Sequence, residues 1–164
     1  MKKIIAVTIC SLLLTHCALT QSYLPKATLK TLEGQEISSH QLIDSSQYVV
    51  ISFWATWCKP CMQELDALAE DYENWKKTTH SSIIAIAIDD SRTLNGVKGI
   101  LNGRDWPFTT YLDVNQDFKR SLNINTVPYT IIINKKGDIV KRHSGYTPGS
   151  ENELKKFLKK QAIR

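Results

Sequence analysis

The chain has 164 residues, 42% of them hydrophobic, and a formal net charge of +5 at pH 7. This length and composition predict one globular domain that can build a core without disulfide staples. The positive charge is mild, its lysine pairs fall where we predict helix ends or turns, and no basic stripe is interleaved with aromatic residues. These features exclude a nucleic-acid-binding protein.

The first twenty residues have the pattern of a targeting segment. A basic start at residues 1–3 is followed by a largely apolar run at residues 4–14. That run is shorter than the ~20 residues that a membrane-spanning helix needs. We therefore predict a signal peptide over residues 1–20 and export from the cytoplasm.

The end of this signal peptide has two interpretations. Residues 14–17 resemble the lipobox of bacterial lipoproteins, which makes Cys17 a candidate lipidation site. The match is imperfect because His16 stands where the lipobox has a small residue. Residues 18–20 offer instead the small residues of an ordinary signal peptidase site. Cys17 is the first mature residue under the first interpretation and is removed under the second.

The first half of the mature chain alternates between predicted strands and helices. Residues 21–26 are predicted to form a tether, and residues 27–164 one domain. A small hairpin is expected on either side of Gly34, and the β-branched and aromatic run at 48–54 is typical of a buried central strand. The continuous apolar run at 82–88 predicts a parallel strand buried on both faces, followed by a helix over 91–101.

The second half ends in a hairpin and a helix. Residues 108–112 predict a short strand and residues 115–122 a short helix. Two strands, at 129–133 and 138–143, flank a turn and predict a hairpin, and a last helix follows residue 150. Alternation that gives way to a hairpin indicates an α/β fold with a mixed central β-sheet flanked by helices.

The most informative segment is the pentapeptide at residues 57–61, between the central strand and a helix predicted over residues 59–77. Cys58 and Cys61 are three positions apart at the start of this helix, where unpaired N–H groups and the helix dipole stabilise a thiolate. Pro60 between them also favours a redox-active pair over a static disulfide. A structural zinc site would need two more ligands, and the other two cysteines lie in the predicted signal peptide. We predict a redox-active dithiol, with no metal and no other cofactor.

Two motifs carry a family resemblance. Residues 53–61, Phe-Trp-Ala-Thr-Trp-Cys-Lys-Pro-Cys, resemble the active-site segment of thioredoxin-fold proteins, and residues 126–130, Thr-Val-Pro-Tyr-Thr, resemble their cis-proline loop. The closest resemblance is to the TlpA/ResA-like extracytoplasmic thiol–disulfide oxidoreductases. It extends from about Thr28 to the C-terminus, and the paired motifs make it specific. It implies a thioredoxin fold with an N-terminal β-hairpin and an inserted βα unit at about residues 83–104.

The resemblance also implies roles for individual residues. Cys58 is expected to be the exposed, attacking thiolate and Cys61 the more buried, resolving thiol. Trp57 is expected to form an exposed aromatic wall beside them. Val127 and Pro128 are expected to share a cis peptide bond in a loop that offers backbone groups to an extended substrate.

Three residues are candidates for tuning the pKa of the dithiol: Lys59, Pro60 and Glu64. Glu64 matches the position of a glutamate near the dithiol in ResA-like proteins, and we expect it on the exposed side of the helix, close to Cys61. Thioredoxin has a buried aspartate where this chain has Ser52, so Glu64 is expected to take over its proton role. The alternative is that Glu64 only complements the helix dipole.

These implications predict an enzyme that reduces disulfides in exported proteins, with apocytochromes c among the candidate substrates. It is expected to work in the bacterial periplasm or at the membrane facing it, as a monomer that touches the membrane only through a lipid anchor. A membrane thiol–disulfide electron donor is the expected second partner. The sequence does not fix the direction of electron flow, so a disulfide-forming oxidase on the same fold stays open.

Other classes fit the motif less well. A thiol-dependent peroxidase of the peroxiredoxin kind stays a further alternative, but its Pro-x-x-x-Thr-x-x-Cys loop places threonine three residues before the cysteine, and Thr56 is two residues before Cys58. A copper-delivery protein would have a Cys-x-x-x-Cys spacing. A non-catalytic binding module would usually lack one of the two cysteines, and both are present.

Overall fold

A seven-stranded sheet is the centre of the computed structural model, which describes residues 23–162. The strands are β1 (Thr28–Lys30), β2 (Glu36–Ser38), β3 (Tyr48–Trp54), β4 (Ser81–Ala87), β5 (Thr109–Leu112), β6 (Tyr129–Asn134) and β7 (Ile139–Ser144). The helices are α1 (Lys59–Glu70), α2 (Tyr72–Thr79), α3 (Leu94–Asn102), α4 (Asp117–Ser121) and α5 (Glu151–Ala162), with a 3-10 helix at Ser39–Leu42. The predicted signal peptide and Cys17 lie outside the described residues. None of the helices that are described is long and apolar enough to cross a membrane.

The sheet is mixed, in the order β2-β1-β5-β4-β3-β6-β7. The central strand β3 runs parallel to β4 and antiparallel to β6, and β4 runs parallel to β5. Six of the seven residues of β3 are buried, because helices cover both faces of the sheet. On one face Phe118 of α4 packs against Phe53, with ring centroids 5.3 Å apart, and α1 lies on the opposite face. The predicted mixed sheet and its two edge hairpins are confirmed.

The prediction of one helix over residues 59–77 is wrong in one respect, because the structure has two helices that meet at Asp71. The Asp71 carboxylate accepts hydrogen bonds from Asn74 and from the Lys155 ammonium on α5. Its backbone leaves the helical region there, with φ −109° and ψ 12°. The apolar residues continue in register across this break, so their spacing alone does not show it.

Two other predicted boundaries also differ from the structure. Helix α3 begins at Leu94 rather than at residue 91, because Asp90 holds residues 90–93 in a turn by accepting hydrogen bonds from the backbone of Arg92 and, through its own carbonyl, from Thr93. Residues 23–26 are not a free tether. Leu24 is fully buried and donates its N–H to the carbonyl of Gly137, so this segment packs against the β6–β7 turn.

Candidate active site

Cys58 and Cys61 are joined by a disulfide at the N-terminus of α1. Cys58 is the N-cap residue, and its Sγ accepts a hydrogen bond from the Cys61 N–H at 3.3 Å. Pro60 occupies the first turn, where its missing N–H leaves one fewer unpaired donor. Among residues 23–162, no three His, Cys, Asp or Glu side chains gather as metal ligands would. The Cys58 sulfur therefore lies at the N-terminus of α1, which is the positive end of the helix dipole.

The two sulfurs differ in access from solvent less than the sequence suggested. Cys61 is fully buried, and Cys58 is only 5% exposed. The expectation of a well-exposed Cys58 is wrong for this disulfide form, because a turn closed by the Cys58 N–H and the Ala55 carbonyl holds it against the core. Trp57, next to it, is 66% exposed, as expected. Attack from solvent can therefore reach only Cys58.

A groove separates the Trp57 ring from the cis-proline loop. The Val127–Pro128 peptide bond is cis, as the sequence predicted. Val127 and Trp57 line the same groove, which has a volume of about 280 Å³, together with side chains from the end of β4, α4 and its preceding turn. Within the described part of the chain, neither the N–H nor the C=O of Val127 has a hydrogen-bond partner. The loop thus presents free backbone groups along one side of the groove.

Glu64 lies inside the protein, so the expectation of an exposed Glu64 is wrong. It is three residues after Cys61 on the face of α1 that packs on the sheet, and it is 1% exposed. Two hydroxyls meet its carboxylate, because Ser52 and Thr130 are opposite each other on β3 and β6. Ser52 Oγ donates to Oε2 and Thr130 Oγ1 donates to Oε1, each at 2.9 Å. Glu64 is therefore more than a charge that complements the helix dipole.

Burial raises the pKa of Glu64 to about 7. Removal from water disfavours the charged carboxylate, the hydrogen bonds from Thr130 and Ser52 partly oppose this effect, and the charge of Glu151 adds to it. A carboxyl group with this pKa can bind or release a proton near neutral pH. Thiol–disulfide exchange takes up and releases protons, so the site holds a matched proton group less than one helical turn from Cys61.

The AhpC/TSA family model matches residues 21–142 of the sequence. The chain belongs to the AhpC/TSA family. The thiol-disulfide oxidoreductase ResA of Bacillus thuringiensis (strain Al Hakam) is 29% identical over 83% of this chain and 75% of its own. The thioredoxin-like protein YneN of Bacillus subtilis (strain 168) is 30% identical over 80% of this chain and 75% of its own. A thioredoxin-like protein from Porphyromonas gingivalis, known as a solution structure, covers 85% of this chain and 92% of its own, with 38% identity and a TM-score of 0.76.

These relatives confirm the thioredoxin-like fold and the resemblance to ResA-like proteins. ResA and the sporulation thiol-disulfide oxidoreductase A of Bacillus subtilis (strain 168) are named for thiol–disulfide exchange, and this chain carries the cysteine pair that such exchange needs, Cys58 and Cys61. The protein is a thiol–disulfide oxidoreductase.

One site residue of this AhpC/TSA-family member escaped the sequence analysis. Asp89, at the end of β4, is 1% exposed and accepts two hydrogen bonds from Thr56, one from its N–H and one from its hydroxyl. In the sequence, Asp89 follows an apolar strand and precedes a second aspartate. This pattern indicates only that the strand ends there. The Thr56 hydroxyl, two residues before Cys58, is thus already engaged as a donor to Asp89.

Proposed function

We propose that this oxidoreductase reduces disulfides in exported proteins outside the cytoplasm. The observation that carries the proposal is the Cys58–Cys61 disulfide at the start of α1, directly after Trp57, which lines a groove together with Val127. The free backbone groups of Val127 can pair with the backbone of an extended protein segment, so the groove fits such a segment better than a compact small molecule.

The reaction follows from the order of the two sulfurs. The Cys58 thiolate attacks one sulfur of the substrate disulfide, forms a mixed disulfide and releases the other substrate sulfur as a thiolate. Cys61 then loses its proton and attacks Cys58 Sγ, which closes the Cys58–Cys61 disulfide and releases the second substrate thiol. Two electrons pass from the dithiol to the substrate. We assign to Glu64 the binding of the proton that Cys61 gives up.

The charges near the dithiol favour a reductant. Strongly oxidising dithiols are those whose reduced, thiolate form is stabilised. A buried carboxylate such as Glu64 opposes thiolate formation by like-charge repulsion. Lys59 acts in the opposite sense, but it is exposed, and its effect of ~0.3–1 kcal/mol amounts to about 6–20 mV. Pro60 adds no charge to this balance.

The midpoint potential of the Cys58–Cys61 couple tests the direction of electron flow. We expect a value nearer the ~−270 mV of reducing members of the fold than the ~−120 mV of strong oxidants. Equilibration with glutathione or dithiothreitol buffers at pH 7, followed by alkylation and mass analysis, gives the potential. A value near the oxidising limit would favour the disulfide-forming oxidase instead.

The partners follow from this direction. Each turnover leaves the protein oxidised, so a membrane thiol–disulfide donor has to restore the dithiol, and exported proteins with disulfides are the substrates. Apocytochromes c, whose cysteines must be reduced before haem attachment, are candidates among these substrates. We propose that the protein acts as a monomer in the periplasm or at the membrane facing it.

The compartment has a direct test in the mature N-terminus. The basic start and the apolar run at residues 4–14 predict export and cleavage. Intact-mass analysis of the protein from its native membrane and soluble fractions is expected to show a cleaved chain, either with a diacylated Cys17 or with a start near residue 21. A full-length chain that keeps residues 1–20 and stays in the cytoplasmic fraction would contradict the proposal.

A further inference from the structure

The loop that carries Trp57 is attached to the end of β4 by one buried carboxylate. The Thr56 N–H donates to Asp89 Oδ2 at 3.0 Å, and the Thr56 hydroxyl donates to Asp89 Oδ1 at 2.6 Å. Asp89 is 1% exposed, so these charge-assisted bonds are shielded from solvent. Thr56 immediately precedes Trp57, and its position limits where the Trp57 ring can stand.

The residue before Asp89 is hydrogen-bonded to another residue that lines the groove. The Ile88 carbonyl accepts a hydrogen bond from Gln116 Nε2 at 3.0 Å, and the Ile88 N–H donates to the Trp54 carbonyl at 2.9 Å. Ile88, Gln116 and Trp57 all line the groove. The segment after β4 is therefore bonded to the groove at two places, to Gln116 through Ile88 and to the residue before Trp57 through Asp89.

We propose that Asp89 is a positioning residue that sets the width of the substrate groove through Thr56. It acts on the binding of a protein segment, and it touches neither the substrate nor the two sulfurs. This inference rests on the proposed function, because only a segment that fills the groove senses its width. A small disulfide that reaches Cys58 without filling the groove is insensitive to Asp89.

The first test replaces Asp89 with Asn and compares two substrates. An amide keeps the shape of the side chain but can accept only one of the two hydrogen bonds, and its NH₂ group faces the second donor. We expect D89N to raise KM for reduction of insulin disulfides by about tenfold, the effect of weakening one hydrogen bond to a charged group. The rate at which D89N reduces 5,5′-dithiobis(2-nitrobenzoic acid) is expected to stay within twofold of the parent's rate. Its midpoint potential is expected to equal that of the parent.

The neighbouring residue supplies a matched control. Asp90 is partly exposed and pairs with Arg92 at the surface, so D90N makes the same chemical change one position away and is expected to leave both substrates unaffected. Should D89N fold poorly, T56V removes only the hydroxyl donor and keeps the N–H bond, and it is expected to raise KM for insulin in the same way. T56S restores the hydroxyl and is expected to restore KM.

Combination with W57A shows whether Asp89 acts through Trp57. If it does, D89N raises KM in the parent but has no further effect in the W57A background, so the two changes are not additive. Equal loss of activity with insulin and with the small disulfide, or full additivity with W57A, would overturn the inference. A parent protein that fails to reduce insulin at all would instead contradict the proposed function. Insulin reduction by the parent is therefore measured before any variant is compared.

Discussion

Replacing Cys58 with Ser is expected to abolish disulfide reduction, whereas replacing Cys61 with Ser is expected to stop the reaction at a mixed disulfide. Cys58 is the sulfur at the helix N-cap and the one with access to solvent, while Cys61 is fully buried. Because a thiolate is the nucleophile, loss of Cys58 should lower turnover by at least ~10³-fold. In C61S, Cys58 still attacks, and no second thiol releases the product.

Mass analysis of the two variants distinguishes these outcomes. C61S incubated with insulin under non-reducing conditions should gain the mass of one insulin molecule at Cys58, because a second interchain disulfide still joins the two chains, and C58S should gain nothing. Serine keeps the size of the side chain, so thermal unfolding of both variants provides the control for folding. Alkylation of the reduced parent at mildly acidic pH should modify Cys58 first. Faster labelling of Cys61, or a stable adduct on Cys61 in C58S, would reverse the two roles.

The parts of the fold that depend on neighbouring residues were predictable from the sequence. The β-branched and aromatic run of β3 and the apolar run of β4 determine buried strands by composition alone. Cys58, Pro60 and Cys61 mark a helix start by their spacing and by the rule that proline suits a first turn. Gly34 and Gly137 adopt positive φ angles at the two hairpin turns, where a residue without Cβ fits.

The parts that depend on distant residues were not predictable from the sequence. Glu64 is inside because Ser52 and Thr130, from two other strands, supply its hydrogen bonds, and a carboxylate by itself predicts an exposed side chain. The break at Asp71 depends on Lys155, more than eighty residues away. Asp89 gains its role only when β4 ends beside Thr56. In each case the partner is set by tertiary structure.

We propose different roles at this site for its two buried carboxylates, one in geometry and one in proton transfer. Asp89 accepts two hydrogen bonds from the loop that carries Trp57, so its contribution lies in the shape of the groove. Glu64 also accepts two hydrogen bonds, yet burial raises its pKa to about 7, so its contribution includes a proton. We therefore expect substitution of Asp89 to change KM and substitution of Glu64 to change the dependence on pH.

The stability of the oxidised protein should report the ionisation of Glu64 directly. Its pKa is about 7 in the folded protein against an ordinary value of 4.5, so between these pH values the folded state binds more protons than the unfolded state. Stability contributed by this group is therefore present below pH 4.5 and is lost as pH rises through 7. At ~1.36 kcal/mol for each pKa unit, the loss is on the order of 3 kcal/mol.

Glu64→Gln removes this pH dependence while keeping the shape of the side chain. The hydroxyls of Ser52 and Thr130 can rotate to accept from the new NH₂ group, so the variant is expected to fold. Urea unfolding of the disulfide form, in which neither cysteine titrates, should show the parent losing stability from pH 4.5 to 8 relative to E64Q. Glu70→Gln, an exposed glutamate on the same helix, is the control and should follow the parent. Parallel curves for parent and E64Q would show that Glu64 does not ionise in this range.

In the reduced protein, the same substitution should change the chemistry. Without a carboxylate near the thiols, like-charge repulsion disappears, so E64Q is expected to lower the apparent pKa of the dithiol and to speed attack near neutral pH. It also removes the group that we expect to take the Cys61 proton, so release of the mixed disulfide should become slower and less dependent on pH between 5 and 9. Stopped-flow reduction of a model disulfide separates the two steps, since attack and release occur in succession. If E64Q titrates and reduces like the parent across this range, Glu64 supports only the packing of α1 on the sheet.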